Sequence, residues 1–186
     1  MAIAPGWYAG NLHMMEVEHD LNINERMGEN RRTVDVLCFG HSFIRRLELF
    51  TLSNPGLNAN LGLDYDQVRV SYYHVPGARA FQLMNHHLAI IQHLMPEIVY
   101  LQVGTCDLSV AHLGPEVVGS RIHDLACRIR DMGVRLVIIG QILFRATAGI
   151  PEVVPLFNEK VVIANQYLET VFDQEFCIRF WKHRGF

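Results

Sequence analysis

Residues 34–46 have the sequence VDVLCFGHSFIRR, and this stretch decides the fold. Its apolar first half, up to Phe39, is typical of a buried strand, and Gly40 permits a tight turn. The residues from Phe43 to Phe50 are predicted to begin a helix. Ser42 therefore lies where a strand becomes a helix.

Ser42 has two interpretations at this junction. Free backbone N–H groups and the positive end of the helix dipole meet there, so a negatively charged oxygen formed beside Ser42 would be stabilised. Serine is also among the best N-cap residues, so Ser42 could simply cap the helix. The stretch alone leaves both interpretations open.

The composition narrows the class of protein. The chain has 186 residues, of which 50% are hydrophobic and 19% are charged, and these values are typical of one globular domain with a sizeable core. The formal net charge is −3, so the charge gives no reason to expect that this domain binds nucleic acid or an anionic membrane.

Cysteine spacing and the N-terminus bear on localisation. The 4 cysteines are far apart and form no closely spaced pair of the kind found in zinc sites, which favours free thiols in a reducing compartment. Residues 1–32 lack the unbroken apolar run of a signal peptide, and the run Val134–Phe144 is too short to span a bilayer. We therefore predict a soluble intracellular protein in which residues 1–32 form a tail or linker and residues 33–186 form the domain.

Beyond Ser42 the chain alternates between strand and helix patterns. Further strands are predicted at 67–73, 98–103, 134–143 and 176–181, and further helices near 80–94, 115–132 and 155–172. Parallel neighbouring strands need a crossover connection, and helices supply it. The alternation therefore predicts a doubly wound α/β domain with three layers, a five-stranded parallel sheet between helices.

Ligands of such sheets bind beyond the carboxyl ends of the strands. The turns that follow the first three strands are therefore predicted to meet at the binding site. The turns after the first three strands carry Gly40-His41-Ser42, Pro76-Gly77-Ala78 and Gly104-Thr105-Cys106-Asp107. A serine and two glycine-bearing turns at one edge are typical of a nucleophile that faces an oxyanion hole.

These motifs resemble the SGNH (GDSL-like) hydrolase family. That family carries a Gly-Asp-Ser block after strand one, a glycine after strand two, a Gly-x-Asn-Asp block after strand three and an Asp-x-x-His block near its end. Gly40-His41-Ser42, Gly77 and Gly104–Asp107 match the first three in order and placement. The sequence around Ser42 and the strand Gly140–Leu143 are also similar to SGNH domains of animal genomes, some of them encoded by retrotransposons.

The resemblance implies a serine esterase with the flavodoxin-like SGNH fold, a small-molecule ester as its substrate, and no metal or cofactor. Ser42 would attack the ester carbonyl, and the backbone N–H groups of Ser42 and Gly77 would stabilise the oxyanion. Cys106 stands where the family has an asparagine as the third oxyanion donor. Because a thiol donates only a weak hydrogen bond, catalysis is expected to be weakened.

Two further departures concern the catalytic base. His41 replaces the family's aspartate, and its side chain should diverge from that of Ser42, so His41 is a poor candidate. No Asp-x-x-His block follows the last predicted strand, which means either that the sequence is truncated ahead of its base or that the domain has lost it. His183 is the remaining candidate, against a surface or packing role. The alternative that stays open is a domain with a decayed site, which would be a binding or interaction module and could be part of a retroelement-derived protein.

Other polar residues have structural interpretations. Asp107 is expected to hydrogen-bond within its loop and hold the shape of the site rather than take part in chemistry. His86 and His93 share one side of a predicted helix, but no acidic third ligand accompanies them. The sequence therefore predicts no metal site.

Overall fold

The computed structural model describes residues 32–54, 56–146 and 153–183. The predicted tail, residues 1–32, lies outside this part of the chain except for Arg32. The elements in chain order are β1 (Val34–Gly40), α1 (Ser42–Ser53), β2 (Val68–His74), α2 (Ala80–His86), α3 (Ala89–Leu94), β3 (Ile98–Gln102), α4 (Thr105–Leu108), α5 (Pro115–Asp131), β4 (Leu136–Gly140), α6 (Val153–Phe172) and β5 (Ile178–Trp181). Among the helices in the described ranges, none combines the length and the apolar content needed to cross a membrane.

The five strands form one parallel sheet in the order β2-β1-β3-β4-β5, which confirms the predicted doubly wound α/β architecture. The strand order reverses at β1, which has β2 on one side and β3 on the other, and this is the switch point where ligands bind in such sheets. Backbone hydrogen bonds tie the three strand ends together. The N–H of Val75 donates to Gly40 O at 2.9 Å, and the N–H of His41 donates to Gln102 O at 3.4 Å.

Alternate residues of the strands form the hydrophobic core, which lies on one face of the sheet. Its members on β1, β3 and β4 are Leu37, Phe39, Val99, Leu101, Val137 and Ile139, all at most 1% exposed. The apolar side of α5 joins the same cluster. Ile44 of α1 lies near the other face, because a Cβ added at Gly40 would come within 3.1 Å of it.

Two helical features differ from the sequence-based expectation. The single helix predicted over 80–94 is two short helices, α2 and α3, although the apolar spacing continues across the break. At the break, Nδ1 of His87 lies 3.0 Å from the hydroxyl of Tyr73, so a tertiary contact accompanies the change of direction. The one-turn helix α4 follows Gly104, where only a turn was expected. Gly104 has a φ of 106°, and a Cβ there would lie 2.6 Å from the side chain of Ile142, so both conformation and space require glycine.

The loop between α1 and β2 covers the outer edge of the sheet. The carbonyl of Gln67 accepts from the N–H of Val34 on β1, so the even-numbered residues of β2 direct their backbone groups away from β1. Asn60, which is fully buried, bonds to two of these outward groups. Its Nδ2 donates to Val68 O at 2.8 Å, and its Oδ1 accepts from the N–H of Val70 at 2.7 Å. Asn60 thus takes the place of a neighbouring strand.

Candidate active site

His41, and not Ser42, caps helix α1. The Nδ1 atom of His41 accepts a hydrogen bond from the N–H of Phe43 at 3.2 Å. Ser42 is the first helical residue, a position whose backbone N–H has no partner within the helix. The interpretation of Ser42 as the helix cap is therefore wrong.

Ser42 lines a cavity of about 430 Å³ at the carboxyl edge of the sheet. The other residues of its wall are His41, Phe43, Arg46, Thr105, Cys106, Leu143, Phe144 and Arg145. The turns after β1 and β3 thus meet in one wall, which is part of the predicted meeting of three turns. The segment that follows β4 completes the wall, and no motif in the sequence indicated its contribution.

Gly77 lies in the turn after the adjacent strand, β2, and is not among the described residues of the cavity wall. It is the third residue of a β-turn in which the N–H of Ala78 donates to Val75 O at 3.0 Å. Its φ of 79° suits glycine at this place, while a Cβ there would meet nothing within 4 Å. Conformation rather than crowding therefore requires glycine, and the oxyanion role of its amide stays a prediction.

Cys106 is half-buried in the cavity wall. Burial raises the pKa of its thiol, and the neighbouring carboxylate of Asp107 raises it further, while the guanidinium of Arg145 acts in the opposite direction. The thiol is therefore protonated at neutral pH. It presents a weak S–H donor to the cavity rather than a thiolate nucleophile.

Asp107 holds the adjacent turn in place. It is fully buried, and its two carboxylate oxygens lie 3.2 and 3.1 Å from the N–H of Ala80, the first residue of α2. Burial raises the pKa of this carboxyl group, and the hydrogen bond from Ala80 opposes that rise. The expected structural role is present, with the difference that this partner lies in the turn after β2 rather than in the loop of Asp107 itself.

His41 is unsuited to act as the base for Ser42. Burial lowers its pKa to about 4, and the nearby guanidinium of Arg46 adds to this effect. The lone pair of Nδ1 already accepts the N–H of Phe43. The other ring nitrogen, Nε2, is buried and has no hydrogen-bond partner in the described part of the chain.

His183, unlike His41, does not line the Ser42 cavity. Its backbone N–H donates to Oε1 of Gln141 at 3.1 Å, its Nε2 lies 3.4 Å from the hydroxyl of Tyr100, and its ring stacks on Trp181. Burial lowers its pKa. These contacts correspond to the packing role, and they give no support to His183 as the base.

The wall combines two hydroxyl groups, those of Ser42 and Thr105, with a helix N-terminus and two guanidinium groups. No carboxylate belongs to the wall among the residues that the structure describes. In the same part of the chain, no group of three or more His, Cys, Asp or Glu residues could hold a metal ion. The chemistry that this arrangement offers is attack by a hydroxyl together with stabilisation of negative charge.

No protein-family model matches the chain, and no curated protein matches it significantly. Several solved structures do match. A GDSL-like lipase from Bacteroides thetaiotaomicron superposes with a TM-score of 0.60 at 15% identity, over 80% of this chain and 67% of that chain. A carbohydrate esterase of family 3 from Talaromyces cellulolyticus has a TM-score of 0.58 at 15% identity, over 81% of this chain and 79% of that chain. A family 3 carbohydrate esterase from Clostridium thermocellum has a TM-score of 0.54 at 14% identity, over 81% and 78% respectively.

At identities this low, the superpositions show the fold alone and not the activity. These superpositions agree with the observed strand order and with the position of Ser42 at the first strand-to-helix junction. The chain has the fold of the SGNH, or GDSL-like, hydrolases.

Proposed function

We propose that this domain is an SGNH-type serine hydrolase that cleaves a carboxylic ester through an acyl-Ser42 intermediate. The observation that carries the proposal is the position of Ser42, which is the first residue of α1 and lines a cavity at the switch point of the sheet. Solved structures with this fold include a lipase and carbohydrate esterases, which supports an ester as the substrate class.

In the proposed reaction the hydroxyl oxygen of Ser42 attacks the ester carbonyl carbon, and the hydroxyl proton passes to the oxygen of the departing alcohol. The alcohol then leaves with a proton, and water attacks the acyl-serine, which releases the acid and restores the hydroxyl. The N–H groups of Ser42 and Gly77 stabilise the oxyanion of both tetrahedral intermediates. Cys106 supplies a weak third donor, and loss of a strong donor typically lowers turnover on the order of 10² to 10³ fold. We therefore expect a slow enzyme.

One observation favours a second candidate, a binding module that keeps the fold without catalysis. The described residues around Ser42 supply no general base, because Nδ1 of His41 is occupied and His183 packs elsewhere. A serine hydroxyl without a base is a weak nucleophile. The resemblance to retrotransposon-encoded domains gains no support from the comparisons and stays a hypothesis about the parent protein.

A fluorophosphonate probe distinguishes the two candidates. The full chain is incubated with the probe, and the adduct is located by peptide mass spectrometry. We expect an adduct on Ser42 that disappears in Ser42→Ala and persists in Ser53→Ala, which removes an exposed hydroxyl at the other end of α1. Cys106→Asn should react faster, because a carboxamide N–H is a stronger oxyanion donor than a thiol. If neither the wild type nor Cys106→Asn is labelled at Ser42, the hypothesis of a binding module is correct and that of a hydrolase is wrong.

A further inference from the structure

Two arginines from separate parts of the chain line the cavity of Ser42. Arg46 lies near the start of α1, and Arg145 lies in the segment after β4. No aspartate or glutamate is among the described wall residues, and the ion pairs found in the described ranges use other cations. Two positive charges therefore line a cavity to which the described residues contribute no carboxylate.

Neutral groups hold Arg145 in place. Its guanidinium lies 4.0 Å from the centre of the Phe157 ring, and its Nη2 donates to the hydroxyl of Ser109 at 2.7 Å. Its backbone N–H and carbonyl both bond to the side-chain amide of Asn158, each at 3.0 Å. The position of the group is thus fixed, and no acidic side chain among the described residues forms an ion pair with it, which is the arrangement expected of a pre-organised anion site.

The N-terminus of α1 also belongs to this wall, and it adds the positive end of the helix dipole. Asp107, which follows Cys106, is buried, and its oxygens bond to the N–H of Ala80.

We infer that Arg46 and Arg145 bind an acidic group, a carboxylate or a phosphate, so that the cavity selects esters that carry a negative charge beside the bond to be cleaved. Guanidinium groups bind both kinds of anion through paired N–H donors. The part of the inference that concerns ester cleavage rests on the proposed function. The part that concerns anion binding rests on the wall residues alone.

The binding test uses the Ser42→Ala variant, in which the proposed nucleophile is removed and any ligand stays intact. Calorimetric titrations at low salt compare monomethyl succinate with its uncharged analogue, methyl succinamate, and with inorganic phosphate. We expect the anionic ester to bind about 10-fold more tightly than the uncharged one. Phosphate binding tighter than monomethyl succinate would identify a phosphate, rather than a carboxylate, as the preferred acidic group.

Arginine variants in the same background locate the anion. Arg46→Met and Arg145→Met should each remove most of the preference, while Arg128→Met, on the exposed side of α5, should leave it unchanged. Arg46 is exposed, so its replacement leaves the fold intact even if Arg145→Met does not fold. Equal binding of the charged and uncharged esters, or an unchanged preference in Arg46→Met, would overturn the inference.

Hydrolysis by the wild type separates this inference from the proposed function. The substrates are the 4-nitrophenyl esters of succinate and of butyrate. Cleavage of both at equal rates would support the hydrolase and contradict the anion site. Arginine-dependent binding of the anion without any cleavage would support the anion site and contradict the hydrolase.

Discussion

His41 ties the first turn of α1 to a titratable ring. A neutral imidazole accepts a hydrogen bond on one nitrogen only, and here Nδ1 accepts from the N–H of Phe43. Protonation would turn that acceptor into a donor and place a charge beside Arg46, which already lowers the pKa of His41. The start of the helix that carries Ser42 is therefore sensitive to acid.

We predict that His41→Asn reduces the acid sensitivity of folding. The pKa of His41 falls from 6.5 to about 4 on folding, so between these values the unfolded chain binds a proton that the folded chain does not. The free energy of unfolding should therefore decrease as the pH falls through this window, by up to about 3 kcal/mol. Asparagine keeps an acceptor at the cap and removes the titration. Urea unfolding at about pH 7 and about pH 4.5 measures both proteins, and equal losses would contradict the prediction.

The sequence could indicate Ser42 and Cys106 because each lies a fixed few residues after a buried strand. It could not indicate that Arg145 lines the cavity. The position of that side chain depends on Phe157 and Asn158, which belong to a helix farther along the chain. The sequence also could not indicate that His41 caps α1, since serine is a more common N-cap than histidine.

Helix α6 holds the segment after β4 in place with two asparagines that lie seven residues apart. Asn165 accepts from the N–H of Ile142 at 2.9 Å and donates to its carbonyl at 3.0 Å. Asn158 does the same for Arg145. Seven residues are about two helical turns, so both amides lie on one side of α6.

These asparagines explain an error in the predicted boundary of β4. The apolar run predicts a strand over 134–143, but the strand ends at Gly140, where its pairing with β5 also ends. Ile142 continues the apolar pattern and is buried, yet its backbone bonds to the side chain of Asn165. Hydrophobic periodicity reports burial and does not reveal which groups satisfy the backbone.

We predict that Asn165→Ala destabilises the domain by about 2 to 4 kcal/mol, because it leaves two buried backbone groups of Ile142 without partners. Gln166→Ala, an exposed change on the same helix, should cost less than about 0.5 kcal/mol. Chemical unfolding of both variants checks the difference. Amide hydrogen exchange at Ile142 should also accelerate in Asn165→Ala, and unchanged exchange there would show that another group protects this amide.

For the molecule as a whole, the sequence was sufficient to predict the class of fold. Alternating strand and helix patterns leave few solutions other than a parallel sheet with helical crossovers, because such crossovers are almost always right-handed. Periodicity predicted no strand order, and the resemblance of the turn motifs to the SGNH family implied only a flavodoxin-like fold. The break between α2 and α3 was missed because a contact between His87 and Tyr73 accompanies it, and that contact exists only in the folded chain.

The outer edge of the sheet offers the last prediction. An uncovered edge strand is a template on which another chain can add a strand, and β2 is an edge strand that the preceding loop covers. Asn60 occupies two of its outward backbone groups, those of Val68 and Val70. We expect Asn60→Ala to form aggregates that light scattering detects as the protein concentration rises, while Asn85→Ala, an exposed change on α2, should behave like the wild type. Scattering at wild-type levels from Asn60→Ala would contradict this. On this prediction one loop amide keeps neighbouring molecules apart, and the concentration that the protein tolerates is set by a residue outside the sheet that it protects.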